Sequence, residues 1–268
     1  MPTKPSPELS PLATLVRRHD PDRFLTALFA PPARREALFL LYAFNHELAR
    51  AREVASEPML ALIRLQWWRE VVEGERRRHE VAGPLGEALD AGVLDRDDLL
   101  TMIEGREAEA EPSVPSLAAW RAYLAATAGG LAVAAGRVLG AEPQVLDRLR
   151  ALGAAYGVAG QLRSVPALAR QGRCLLPEDV LGAHGLTIHA VIAAPDAPGL
   201  APVLQALAEE GRRFLAAGRG RVPAAVRAAS LPAVLGRRDL RRIGQPLAPR
   251  GLGDRLAVLA AAAGVAST

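Results

Sequence analysis

The sequence predicts an all-α fold, a bundle of about ten helices of uneven length around one core. Three observations predict it. Apolar residues recur at helical intervals through most of the chain, as in Leu38, Leu41, Tyr42 and Leu48. Valine is common but does not alternate with polar residues over any useful length, so strand signals are nearly absent. Prolines stand where helices begin and end. The 268 residues, half of them hydrophobic, supply a large core and exclude general disorder.

Residues 1–10 are polar with three prolines and predict a flexible tail before a domain over 11–268. Pro21-Asp22 opens a short helix through Phe29. Pro31-Pro32 stops it and pre-sets the next, which runs from Ala33 to about Val54. Glu57-Pro58 opens another, with Leu62, Leu65 and Val72 on one side, ending near Gly74. Weaker helices are expected at about 84–91 and 95–110, followed by a linker from Pro112 to Pro115. A long helix from Ser116 to Gly140 is expected to kink at Gly129-Gly130, and Pro143 opens the next, through about Leu162. Pro166, Gly172 and Pro177 then predict a loop. Short helical turns follow over 178–194. The last helices are expected at Pro198 to Gly218, about 222–243 with a break near Pro232, and 249–264.

The charge balance is 33 basic against 29 acidic residues, and Lys4 is the only lysine. Arginine binds carboxylates and phosphates with a planar fork. The basic residues interleave with acids and form no recognition motif, which argues against nucleic acid as a partner. Cys174 is the one cysteine, so the chain builds neither an internal disulfide nor a thiolate zinc cage, and a reducing compartment fits. In its apolar context Cys174 reads as a small core residue. The start lacks the apolar core of a signal peptide. The Ala/Gly-rich charge-free stretch Ala122 to Gly136 is shorter than the ~18 residues of a spanning helix. A soluble or peripheral chain is expected.

Three segments carry a resemblance: DPDRFLTALFAPPARREALFLLYAFNHELARAREV over 20–54, RLQWWREVVEG over 64–74, and GVAGQLRSVPALARQGRCLLPEDV over 157–180. Their order and spacing resemble the squalene/phytoene synthase family. The resemblance implies an isoprenoid-synthase-like bundle around a central cavity, in which enzymes join two prenyl diphosphates head to head. AFNHELA, SEPMLALIRLQWW and LRSVP resemble more narrowly its non-catalytic branch, which includes the mitochondrial assembly factor for respiratory complex I.

Ionising an allylic diphosphate needs Mg²⁺, which takes hard oxygen ligands. The family's enzymes place aspartate-rich motifs on two facing helices. Asn45, Ala49 and Glu53 keep the i, i+4, i+8 stripe of the first motif, but Ala49 and Arg50 stand where aspartates are implied. Glu53 reads as an ordinary helix residue or a remnant cavity group. The second motif is implied near Gln161, Arg163, Ser164 and Arg173, and no acidic residue occurs from Gly157 to Pro177. Arg163 is the best cavity cation, or else the partner of Glu47 or Glu53 in a buried ion pair. Glu104, Glu107, Glu109 and Glu111, the only dense acidic cluster, read as a solvated face rather than a rebuilt metal site.

The resemblance therefore implies a pseudoenzyme that assists assembly of respiratory NADH:quinone oxidoreductase by binding its subunits or assembly intermediates. No cofactor is expected; Mg²⁺ enters only if the chain is an active synthase. A passive isoprenoid or quinone carrier is the remaining alternative. His46 reads as a hydrogen-bonded helix residue, and at least one of Trp67 and Trp68 as core. Arg64 and Arg69 are expected to anchor helix ends or neighbouring carboxylates. Arg237, Arg238, Arg241 and Arg242 repeat at helical spacing beside Leu240 and Ile243, a candidate face for an anionic membrane or acidic partner. The expected place is the cytoplasm, with peripheral attachment to the inner face of the respiratory membrane.

Overall fold

Proline and short capping side chains set the helix starts in this computed structural model. It describes residues 9–55, 57–245 and 248–265, which hold fourteen α-helices and no β-strand. The helices are α1 Pro11–His19, α2 Pro21–Ala27, α3 Pro32–Glu53, α4 Pro58–Glu73, α5 Ala82–Asp90, α6 Arg96–Glu107, α7 Leu117–Leu124, α8 Gly130–Val138, α9 Pro143–Arg170, α10 Glu178–Ala183, α11 Ile188–Ala193, α12 Ala201–Ala217, α13 Pro232–Arg241 and α14 Leu252–Ala262. Proline begins α1 to α4, α9 and α13, positions where its missing N–H costs nothing. Ser10, Asp20, Asp95, Ser116 and Thr187 each accept a hydrogen bond from a first-turn amide.

Helix α9, 28 residues long, is the central strut and packs against α8, α12 and α13. Gly153 permits the closest approach. A Cβ there would meet the Ala128 carbonyl oxygen at 2.4 Å and Ala132 Cβ at 2.6 Å. Trp120, Phe44, Leu38 and Leu149 are fully buried in one continuous core, each contributing about 1.5–3 kcal/mol relative to exposure.

The expected tail over residues 1–10 lies mostly outside the described residues; Ser10 already caps α1. Four local expectations are corrected. α1 is a helix that periodicity did not single out. Leu62 is exposed while Leu65 and Val72 are buried. The kink expected at Gly129-Gly130 is a π-helical turn over Ala125–Gly129, where Thr127 Oγ1 donates to the Tyr123 carbonyl at 2.7 Å. α9 passes through Pro166 and ends only at Arg170. Interior proline costs about 3 kcal/mol, and burial of Val165 and Ala169 on either side offsets it.

The π turn joins α7 and α8 into one apolar run, Leu117–Val138, of 22 residues and mean hydropathy 1.2. That is longer than the charge-free stretch on which the expectation of no spanning helix rested. Its length and composition suffice to cross a membrane, yet over half of its most apolar window is buried in the bundle.

Candidate functional site

The α3 stripe faces inward at one end only. Asn45 is buried, Ala49 is half-buried and Glu53 is exposed. Arg50 turns away to Glu47, one turn back, at 3.2 Å. His46 stacks on His19 with ring centroids 4.3 Å apart. Burial and His19 lower its pKa, so it favours the neutral form.

On the facing wall, Gln161 of α9 donates Nε2 to the Tyr123 hydroxyl at 3.0 Å, and Ser164 Oγ donates to the Gln161 carbonyl at 2.9 Å. Beyond α9, Gly172 takes a φ of 68°, a left-handed turn that closes the helix. The chain then returns Arg173 and Cys174 to the interior. Burial pushes the Cys174 thiol up.

Side chains from α6 and α7 tie the two walls together. Arg106 donates Nη1 to Glu109 Oε1 at 2.5 Å and Nη2 to Asn45 Oδ1 at 3.3 Å. Tyr123 donates its hydroxyl to the same Glu109 oxygen at 2.6 Å. Arg173 Nη2 stands 3.8 Å from Glu109 Oε2. An unbroken polar chain therefore runs from Asn45 through Arg106, Glu109 and Tyr123 to Gln161. Glu109 is 7% exposed. Burial lowers the Arg106 pKa, but the Glu109 carboxylate outweighs it and the net shift is upward, so Arg106 keeps its charge. Burial and the Glu109 charge raise the Tyr123 pKa, which keeps its proton. Burial lowers that of Arg173, with Glu109 opposing.

Glu109 is the residue that sequence reasoning misplaced. It lies in the acidic run read as solvated, on a 3₁₀ turn, Ala108–Ala110, that drops it inward. Glu104 and Glu107 do face outward and pair with Arg69. Arg106 and Tyr123 carried no distinguishing sequence signal. The small residues Ala108 and Ala110 around Glu109 were the one hint of burial.

Arg163 does not pair with Glu47 or Glu53. It donates to Asp239 of α13 at 2.8 Å, on a different face of α9. Asp239 also holds Arg250, which bridges to Asp22 at 2.7 Å. The arginine stripe divides. Arg238 and Arg242 close on buried Asp254 at 2.6 and 3.2 Å, Arg237 is half-buried, and Arg241 is exposed. Burial raises the Asp254 pKa, but the bonds from Arg238, the Gly251 N–H and Arg242 prevail and hold it at about 2.

A magnesium cluster needs several carboxylate oxygens converging on one point. Here Glu53 is exposed, and Glu109 is engaged by Arg106 and the Tyr123 hydroxyl at Oε1 and faces Arg173 at Oε2. Among the described residues no three His, Cys, Asp or Glu side chains are grouped to hold a metal ion.

Comparison with known proteins follows the same lines. Human NADH dehydrogenase (ubiquinone) complex I, assembly factor 6 is 27% identical over 179 residues, 65% of this chain and 54% of the human protein. Its homolog from Drosophila melanogaster is 28% identical over 190 residues, 67% of this chain and 57% of the fly protein. The chain spans about half the length of the curated relatives it matches. Two solved structures share the fold. A dehydrosqualene synthase crystallised with a ligand superposes with a TM-score of 0.78 at 14% identity, over 95% of this chain and 94% of the other. Squalene synthase HpnC from Alicyclobacillus acidocaldarius does so with 0.67 at 21%, over 88% and 94%. The family model for squalene/phytoene synthase matches residues 16–258. With fourteen helices arranged as in two synthases and this match along nearly all its length, the chain belongs to the squalene/phytoene synthase family.

Proposed function

We propose that this chain acts by binding, without prenyl transfer, in the assembly of respiratory NADH:quinone oxidoreductase. The observation that carries the absence of turnover is the Asn45–Arg106–Glu109–Tyr123–Gln161 chain. It supports that reading because Arg106 holds a buried positive charge between Asn45 and Glu109, and a fixed cation repels Mg²⁺. The assembly role rests on the names of the relatives that share about 65% of this chain. Partners are subunits or assembly intermediates of the complex, met at the inner face of the respiratory membrane. Exposed Arg241, beside the Arg238–Asp254–Arg242 cluster, is the part of the stripe that remains to meet an acidic partner or anionic lipid.

A second reading, passive carriage of an isoprenoid or quinone, is favoured by one feature. A cleft of about 800 Å³ between α9, α12 and residues 243–245 and 248–249 is walled by Leu162, Val165, Leu200, Leu204 and Ile243, with Arg163, Asp239, Arg242 and Asp254 at its polar side. That size and polarity suit an apolar ligand.

Deleting the protein in its native host and measuring assembled NADH:quinone oxidoreductase on native gels tests the proposal. Loss of the assembled enzyme, restored by the chain and accompanied by its recovery with assembly intermediates, is the expected result. Normal amounts of the enzyme after deletion would refute the role. Co-purification of a stoichiometric isoprenoid or quinone would move the reading to the carrier.

A further inference from the structure

The end of α3 and the start of α4 form a helical hairpin whose tip is apolar and exposed. Val54, Met59, Leu60, Leu62 and Ile63 are all at least 36% exposed, with Met59 at 62% and Ile63 at 58%. At 100° per residue, Leu62, Met59, Ile63 and Leu60 span an arc of roughly 160° on α4. A cluster this dense at one site differs from singly scattered surface apolar residues.

Behind the tip lies a groove of about 320 Å³. Val54 and Ile63 form its lip, Trp67 and Trp68 its wall, and Arg50 and Arg64 its rim. Trp67 is braced edge-on by Trp68 at 4.8 Å and by His79 at 5.8 Å. The groove is not the cavity of the degenerate motifs. Glu47, Arg50, Ala51 and Val54 share one face of α3, roughly 150° from the Asn45, Ala49, Glu53 stripe.

We propose that this hairpin tip inserts into a phospholipid bilayer, with the groove at headgroup level. The order of side chains along α4 is the order of depth in a membrane. Met59, Leu60, Leu62 and Ile63 occupy the first two turns. Trp67 follows Ile63 by about 6 Å and Met59 by about 12 Å at 1.5 Å per residue. An interfacial helix buries its apolar face about 5–10 Å into the headgroup and acyl boundary, so Trp67 lies at the interface where tryptophan is favoured.

Arg64 has no ion-pair partner among the described residues, and the Arg50 side chain is 46% exposed. Both stand at the level of lipid phosphates. Glu53 and Glu57 flank the tip and offset part of this charge, so burial of the apolar side chains dominates the attraction. Binding on neutral lipid and at high salt follows from that balance.

The test uses the full chain with vesicles of phosphatidylcholine, alone or mixed with phosphatidylglycerol, and no respiratory protein present. The expected result is flotation on both lipids, with quenching of Trp67 by shallow brominated acyl chains and loss of that quenching in Trp67→Phe. Met59→Ser with Ile63→Ser, both on the surface and therefore compatible with an unchanged circular dichroism spectrum, is expected to lower the partition coefficient about a hundredfold, roughly tenfold per side chain withdrawn. Equal flotation of the double variant, or absence of Trp67 quenching in wild type, would overturn the proposal. So would failure to float on either lipid, which would leave the tip as a protein-docking surface. Because the vesicles hold lipid alone, this outcome is separate from the fate of the assembly role.

Discussion

Replacing Glu109 by leucine removes the acceptor on which the two walls converge. Glu109 Oε1 receives Arg106 Nη1 at 2.5 Å and the Tyr123 hydroxyl at 2.6 Å, while Oε2 faces Arg173 at 3.8 Å. The Arg106 and Glu109 side chains are 15% and 7% exposed, so water does not take over the broken bonds. Removing one partner of a buried pair costs about 3–5 kcal/mol, because the other charge stays buried. Leaving the Tyr123 hydroxyl without an acceptor adds to the same loss and is not separately additive. The expected destabilisation for Glu109→Leu is about 4 kcal/mol, a large part of a typical 5–15 kcal/mol. Urea unfolding followed by circular dichroism measures it, with the slope unchanged if only stability moves. Adding Arg106→Met removes the orphaned cation, and the double variant is expected to regain about 2 kcal/mol. A loss below about 1 kcal/mol for the single variant, or no recovery in the double, would refute the reasoning.

Gly153→Ala forces a Cβ against the Ala128 carbonyl oxygen and is expected to cost about 3 kcal/mol. Gly160→Ala on the same helix meets nothing within 4 Å and is expected to stabilise by about 0.5–1 kcal/mol; opposite shifts in thermal midpoint check the pair. Asp254 has a folded pKa of about 2, below the unfolded value of about 3.9. Its stabilisation is complete above about pH 5 and is lost as the pH falls toward 2, an effect of about 2 kcal/mol. The gap in stability between wild type and Asp254→Asn is therefore expected to shrink between pH 5 and 2, and a constant gap would mean that the arginines do not hold this carboxylate. Ala49→Asp with Arg50→Asp adds carboxylates to α3 only, and the one at position 50 stands on the exposed groove face, away from the Asn45, Ala49, Glu53 stripe. A folded protein without prenyl coupling is expected, and substantial coupling would show that the second wall has been misplaced.

Helix starts were legible because proline and short capping residues act locally, and most starts fell within a few residues of their proline. The exceptions share a cause. Pro166 breaks a helix by local rules, but Val165 and Ala169 are held in the core by distant contacts. The double glycine marked a flaw in the α7–α8 rod without saying that it is a π turn. In the site, the Asn45, Ala49, Glu53 stripe was readable as spacing along one helix, but not that only its Asn45 end faces inward. What joins the walls was not. Arg106 reaches Asn45 across 61 positions and Arg163 reaches Asp239 across 76, and no local pattern encodes such pairs. Asp254 took Arg238 and Arg242 in the same way, from beyond the helix whose spacing made them look like a surface stripe.

Incubating the purified chain with farnesyl or geranylgeranyl diphosphate and Mg²⁺ tests the central claim, that this bundle binds without turning over, most directly. With Ala49 and Arg50 in the first motif and Arg106, Glu109 and Arg173 between the walls, diphosphate release no greater than in a heat-killed control is expected. Release above that control, with formation of a head-to-head coupled prenyl product, would contradict the account.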